Sequence, residues 1–262
     1  MPLEPNDGDA TGMSATGPIV PAAPIIAIVI GASGSIGAAF VEALCADPGF
    51  THIFALSRSG AEFDDVRVQS LFVDLEDETS IANAALACAR AGPCHLLINA
   101  VGVLHGPDGI KPEKSIKELD SAKMAKLFAL NTIGPALVLK YFAPIMTKEG
   151  RAILATLSAR VGSISDNHLG GWYSYRATKA ALNQIIKTTA IELQLRRKHL
   201  ICVGLHPGTV KSHMSEPFLA HYKANEVFTP TFAVQNMLDV LAGLTPEQTG
   251  RCFAWDGAEI VP

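Results

Sequence analysis

The chain reads as an α/β protein built on one doubly wound parallel sheet of about seven strands, with helices on both faces. Three observations predict this. Short continuous apolar runs recur along the chain, each bounded by turn residues, the pattern of strands buried on both faces. Stretches of helical periodicity alternate with them. Hydrophobic residues make up 48% of the 262 and charged residues 18%, enough to bury one large core and too apolar for a disordered chain.

The elements follow in order. Ile25–Ile30 (IIAIVI) is the first strand and runs into glycine; Ile36–Ala46 is the first helix. His52–Ser57 and Val66–Val73 are the second and third strands, and Glu76–Ala91 has helical composition. Cys94–Ile98 is the fourth strand, followed by a longer polar stretch from Gly102 to Lys117. Glu118–Met146 carries helical periodicity, with Pro135 and Pro144 marking kinks or ends. Arg151–Leu157 is a fifth strand, Trp172–Arg197 a long amphipathic helix and Leu200–His206 a sixth strand. Lys211–Thr229 reads as a loop with a short helix, Thr231–Leu244 as a helix and Arg251–Trp255 as a last strand. Residues 25–262 form one domain, because composition does not break after residue 24 and no repeat is visible.

Several function classes recede. Net charge is −4, and the longest basic stretch, Arg196–His199, is a helix end rather than a nucleic-acid patch. The five cysteines are odd in number and form no C-x-x-C pair, and the histidines show no H-E-x-x-H spacing. Reduced thiols, a cytoplasmic location and no metal site are expected. Residues 1–24 lack a signal-peptide pattern and read as a flexible arm, with a partner-docking segment as the alternative. The apolar run after Pro24 is too short to cross a bilayer, so no membrane segment is expected.

Gly31-Ala32-Ser33-Gly34-Ser35-Ile36-Gly37 joins the first strand to the first helix. Glycines three apart permit a tight turn and close approach of a pyrophosphate, and the helix N-terminus offers free N–H groups to it. Placed directly after a buried strand, the loop points to a dinucleotide. An NAD site would carry an acid about 20 residues on for the ribose 2′-hydroxyl. Here that neighbourhood is Ala55-Leu56-Ser57-Arg58-Ser59. A guanidinium can hold a 2′-phosphate that a carboxylate would repel, so Ser57 and Arg58 favour NADP(H); the alternative is that Arg58 is a solvated loop residue. Asp74, with Leu75, ends the third strand beside the expected crevice, where the carboxylate would take the adenine amino group or cap the next helix.

Tyr175 and Lys179 stand four apart, on one helix face. A phenol titrates too high for neutral-pH proton transfer unless a nearby cation favours the phenolate. Tyr-x-x-x-Lys alone is common and mostly structural; the glycine loop and strand order give it weight.

With those residues in place, residues 25–262 resemble the short-chain dehydrogenase/reductase superfamily and its Rossmann fold. Gly31–Gly37 matches the cofactor loop, Asn99-Ala100-Val101-Gly102 the turn after the fourth strand, and Asn131 the helix asparagine. Tyr175–Lys179 matches the catalytic pair and Pro207-Gly208-Thr209-Val210 the segment after the sixth strand. Leu157–Asn183 looks most like the C-factor-like and sniffer-like carbonyl reductases. The resemblance implies that Tyr175 exchanges a proton with the substrate oxygen, and that Lys179 binds the nicotinamide ribose and lowers the Tyr175 pKa. It implies that Asn131 holds a water in a relay to Lys179. Asn99, Ala100 and Gly102 would shape the cofactor-side turn, Val210 would face the nicotinamide carboxamide through its backbone, and Pro207 and Gly208 would also contact the cofactor.

Two departures stand out. Ser35 replaces a usual glycine, with Gly34 one position earlier, and Ser158-Ala159 replaces the usual pair of serines. Ser158, at the strand end, is the first choice for the substrate-binding serine, and Ser163 the alternative. His168, Trp172 and Tyr173 would line a substrate pocket or pack the helix start. Met214, Phe218, Leu219 and Tyr222 would form a lid or an ordinary helix face.

The reading is NADP(H)-dependent hydride transfer with a small carbonyl or alcohol substrate. A nucleotide-sensing or signalling protein with little turnover and an NAD-dependent alcohol dehydrogenase are the alternatives. The resemblance implies a homo-oligomer, dimer or tetramer, through the two long helices.

Overall fold

The structure is a computed structural model, and it describes residues 24–106, 109–221, 223 and 226–262. The expected N-terminal arm (all but Pro24) and Tyr222 of the expected lid lie outside these residues.

Strands β1 (Ile26–Ile30), β2 (His52–Ser57), β3 (Val68–Phe72), β4 (Cys94–Asn99), β5 (Ala152–Leu157) and β6 (Leu200–His206) form the parallel body of the sheet. With β9 (Cys252–Ala254) and β10 (Glu259–Ile260) the sheet has eight strands, in the order β10-β9-β6-β5-β4-β1-β2-β3. All neighbours pair parallel except β9 and β10. The expected seven become eight because β10 returns antiparallel over two residues, Glu259 and Ile260, too short for periodicity to reveal. A second two-residue pair joins β7 (Thr209–Val210), in the segment after the sixth strand, to β8 (Val227–Phe228), within the expected loop, and is again too short for periodicity to reveal.

Period-two alternation divides each strand between two cores. Ile26, Ile28 and Ile30 of β1 face one cluster with Leu97, Leu139, Phe142, Leu182 and Ile186. These last four come from α4 (Gly134–Phe142) and α5 (Tyr173–Gln194), and α2 (Glu78–Ala89) adds Ile81 to the same layer. Ala27 and Val29 face the other cluster with Phe40, Val41 and Leu44 of α1 (Ser35–Ala46), and Val234 and Met237 of α6 (Pro230–Gly243). Burial on both faces is why the strands read as unbroken apolar runs. The edge strand β3 is the exception, half exposed along its length.

The stretch expected as one helix over Glu118–Met146 is divided. Helix α3 (Ser121–Phe128) is capped by Asp120, whose carboxylate accepts the Lys123 N–H at 3.0 Å. A π turn, Ala129–Ile133, then leads into α4, and a 3-10 turn, Ala143–Ile145, ends it. Both prolines sit at the breaks. Pro135 lacks the N–H that would bond the carbonyl of residue 131, and the backbone widens just there. The apolar span Ser121–Ile145 is long enough to cross a membrane by composition, but Leu127, Val138, Leu139 and Phe142 are buried in the fold.

Strand order reverses about β1, whose neighbours are β2 and β4. Connections therefore leave in opposite directions and open a crevice past the carboxyl ends of β1 and β4.

Candidate active site

The glycine loop stands at that crevice. Gly31 has φ +87 and donates, with Ala32, to the Leu56 carbonyl of β2 at 2.8 and 3.0 Å. A Cβ at Gly37 would lie 2.1 Å from the Gly31 carbonyl oxygen, so only glycine allows α1 to start so close to β1. The α1 N-cap, Gly34, brings no side-chain cap, which leaves the first-turn amides of α1 to an incoming anion. Ser35 takes its unusual place without obstruction, exposed as the first residue of α1.

A groove of about 250 Å³ continues from the loop past Ser33, Ser57, Arg58, Asp74, Leu75, Ala100 and Gly102. Two buried polar atoms in this neighbourhood have no hydrogen-bond partner, Ser57 Oγ and Asn99 Nδ2. They close β2 and β4, and such orphans at a crevice fit a polar ligand. Asn99 Oδ1 accepts the Val101 N–H at 3.2 Å and so fixes the turn. Arg58 is exposed at the end of β2, and no carboxylate lies in the run Ala55–Gly60. Asp74 Oδ1 accepts the Glu76 N–H at 3.1 Å, while the cap of α2 is Asp77. Of the two roles weighed for Asp74, the helix cap belongs to Asp77. Past β6, Gly208 turns with φ +75, and Val210 is buried in β7. A nicotinamide dinucleotide thus meets a fitting cradle: a glycine turn, an uncapped helix, unpaired polar atoms and a cation beyond them.

Helix α5 carries Tyr175 and Lys179 to the sheet end, both buried. The Lys179 ammonium donates to the Leu157 carbonyl at 2.9 Å and stands 5.8 Å from the centre of the Tyr175 ring. Burial pushes the phenol up to about 12 and the ammonium down to about 8, so the lowering of the Tyr175 pKa by Lys179 that the resemblance implies is overturned here by desolvation. The phenol is therefore protonated at neutral pH, a state suited to giving a proton rather than taking one.

Asn131 sits in the π turn, fully buried. Its amide clamps Val103, accepting the N–H and donating to the carbonyl, each at 2.7 Å. Thr132 Oγ1 donates to the Thr178 carbonyl at 2.9 Å, tying the same turn to α5. A Cβ on Gly102 would stand 3.5 Å from Lys179 Nζ and 3.8 Å from Asn131 Oδ1, so the Asn99–Gly102 turn, Asn131 and Lys179 converge.

Neither candidate serine is hydrogen-bonded to Tyr175. Ser158 Oγ donates to Asn183 Oδ1 at 2.6 Å, and Ser163 Oγ accepts the Asp166 N–H at 3.1 Å. Tyr175 shares a small buried cluster with Ala159 and Leu104. Around them lie Val161, Trp172, Met214 and Phe218, an apolar wall. Trp172 meets Tyr175 edge-on at 6.3 Å between centroids and Phe218 at 5.2 Å. Met214 and Phe218 of the expected lid do reach the site, and the Met214 carbonyl lies 3.0 Å from His105 Nε2. His168 is exposed and Tyr173 is 37% exposed; neither joins the cluster.

Sequence reading missed Glu113. It is 6% exposed, in the polar stretch before α3, and its carboxylate accepts both the N–H and the hydroxyl of Ser174. A lone glutamate in a loop gives no signal of a contact 61 residues away.

Comparison with known proteins agrees with this architecture. The family model described as short chain dehydrogenase matches residues 25–223. The C-signal of Myxococcus xanthus is 33% identical over 169 residues, 64% of this chain and 93% of that protein. A 1-hydroxy-2-glutathionyl-2-methyl-3-butene dehydrogenase of Rhodococcus sp. is 30% identical over 185 residues, 71% of this chain and 76% of that one. The crystal structure of NADPH-bound carbonyl reductase from chicken fatty liver superposes with a TM-score of 0.78 at 25% identity, covering 91% of this chain and 100% of that chain. The carbonyl reductase Sniffer of D. melanogaster shares the fold, with a TM-score of 0.76 at 21% identity over 92% of this chain and 99% of that one. A glycine cradle at the switch point, a buried Tyr175–Lys179 pair and a family match over most of its length make this chain a member of the short-chain dehydrogenase family of oxidoreductases.

Proposed function

We propose that this protein reduces a carbonyl substrate with NADPH, and that Tyr175 is the acid of that reaction. The observation that carries the reading is a groove lined by both Arg58 and Gly102, where a Cβ placed on Gly102 would stand 3.5 Å from Lys179 Nζ. The dinucleotide, when bound, supplies the hydride, and the chain supplies position and electrostatics. Gly31, Ser33, Gly34, Ser35, Ile36 and Gly37 would hold the pyrophosphate on backbone amides. Ser57 and Arg58 would take the 2′-phosphate, and Asp74 and Leu75 would border the adenine. Asn99, Ala100 and Gly102 would shape the inner turn, and Pro207, Gly208 and Val210 would flank the nicotinamide. The chicken enzyme, caught with NADPH, supports this choice of cofactor.

Tyr175 then gives its proton to the developing alkoxide. Its high pKa keeps that proton in place until negative charge appears beside it. Lys179 places a cation near the phenol and favours the phenolate left behind. Asn131 fixes the backbone of Val103 beside Leu104 and Lys179, and holds the water of the implied relay. Leu104, Trp172, Met214 and Phe218 exclude solvent, which strengthens each of these electrostatic effects. Ser158 Oγ donates to Asn183, so Ser158 takes the serine role only by turning from that partner. The same reading takes the protein as a cytoplasmic homo-oligomer joined through the α3–α4 stretch and α5.

The test is NADPH consumption by the purified protein over a panel of aromatic and aliphatic carbonyls, with NADH alongside. Turnover with NADPH preferred is the expected result. NADPH binding without turnover on any member would replace the reading with a nucleotide-sensing protein, and an NADH preference would remove Arg58 from the site.

A further inference from the structure

Helix α5 begins without a local cap. Its N-cap residue is Trp172, in the left-handed region at φ 54 and ψ 40, and no side chain of its own caps the first turn. A bulky residue there costs free energy and persists only where its surroundings fix it. Ser, Thr, Asp or Asn would ordinarily close such an end. Tyr175 lies in this first turn, so whatever fixes the turn also aims the phenol.

Two side chains hold the segment. Arg176 donates to the carbonyls of Gly171, Val161 and Gly170 at 3.0, 3.3 and 3.3 Å. From the other side Glu113 makes three contacts. Its carboxylate accepts the Ser174 N–H at 3.1 Å and the Ser174 hydroxyl, and its carbonyl accepts the Trp172 N–H. A carboxylate this buried is rare unless its charge is answered, and the N-terminus of a long helix answers it.

We propose that Glu113 is a positioning residue for the reaction: a cap delivered from the loop between β4 and α3 that sets the first turn of α5 and thereby the Tyr175 hydroxyl. This rests on the proposed reading of Tyr175 as the acid. Proton transfer tolerates little displacement, and a misplacement of about 1 Å can cost ~10²-fold in rate. The phosphate-binding loop lies at the other end of the cofactor groove, so losing the cap leaves NADPH affinity alone.

The experiment compares Glu113→Ala, Glu113→Gln and Ser174→Ala with wild type by steady-state kinetics, NADPH titration and amide hydrogen exchange along α5. Glu113→Ala should lower kcat by roughly 10–100-fold while the NADPH Kd moves less than about twofold. Exchange should quicken over residues 173–176 and stay unchanged over residues 182–190. Glu113→Gln keeps an acceptor oxygen and should recover kcat to within about threefold of wild type, while Ser174→Ala, losing one bond, should cost ~3–10-fold. Normal kcat with unchanged first-turn exchange in Glu113→Ala overturns the proposal. So does equal damage in Glu113→Ala and Glu113→Gln with faster exchange along all of α5, which is plain loss of stability. If Glu113→Ala does not fold, a wild-type kcat in Ser174→Ala overturns it. Wild type with no turnover sinks the reading of Tyr175, while the exchange data still decide the cap.

Discussion

The half of this crevice proposed for the cofactor and the half proposed for the substrate are built by different means. On the cofactor side, the decisive contacts are local or between adjacent strands. Gly34 bonds Gly31, Gly37 lies against Gly31, and Asn99 holds Val101 two residues on. On the substrate side almost every contact joins distant segments. Asn131 clamps Val103, His105 meets Met214 across 109 residues, and Glu113 caps α5 from another loop. The first half is written in short motifs on a rigid sheet end, and the second is assembled from loops that meet only in the folded chain. Binding of a common cofactor and choice of a particular substrate can thus change separately.

Substitutions can break or sharpen this division. The largest effect is expected at the junction of the halves. Tyr175→Phe keeps the ring and its packing against Ala159 and Leu104 but removes the proton donor. Turnover should fall by ~10²–10⁴-fold with NADPH affinity little changed. Parallel loss of both in titration and steady-state kinetics would show that the halves are not separable.

Arg58→Ala acts on the cofactor half alone. Loss of a charge-assisted contact of ~1.5–3 kcal/mol should weaken NADPH by roughly 10–100-fold and leave NADH where it was. Equal losses for both cofactors, read by fluorescence titration, would place Arg58 outside the 2′-phosphate site.

The smallest change adds a group. Ala159→Ser puts a hydroxyl into the buried cluster that Ala159 and Leu104 share with Tyr175. An added donor to the developing oxyanion should raise kcat by up to about 10-fold. Ser158→Ala, whose hydroxyl is engaged with Asn183, should change kcat by less. A silent Ala159→Ser beside a crippled Ser158→Ala would return the serine role to Ser158.

The same division explains what the sequence made legible. Continuous apolar strands predicted the doubly wound sheet because both faces are buried, and the β6 boundaries fall at Leu200 and His206 as read. The glycine loop and the Tyr175–Lys179 pair were visible because each sits within a single turn or two of chain. Ser158 was chosen for its place at the strand end. Its bond to Asn183, 25 residues on, is set by tertiary packing, which no spacing rule resolves. The π turn at Ala129–Ile133 left only Pro135 as a trace, and β7, β8 and β10 are too short to carry a period. Glu113 was invisible because its partner is set by tertiary packing alone.

The central claim is that hydride passes from NADPH to a carbonyl carbon in this crevice, and isotope transfer tests it most directly. NADPH carrying deuterium on the transferred face of the nicotinamide, incubated with wild type and an accepted carbonyl, should yield an alcohol with deuterium on the carbinol carbon, and Tyr175→Phe should form that alcohol far more slowly. Unlabelled alcohol from cofactor deuterated on either face, or bound NADPH that never delivers its label to any carbonyl, would contradict the account.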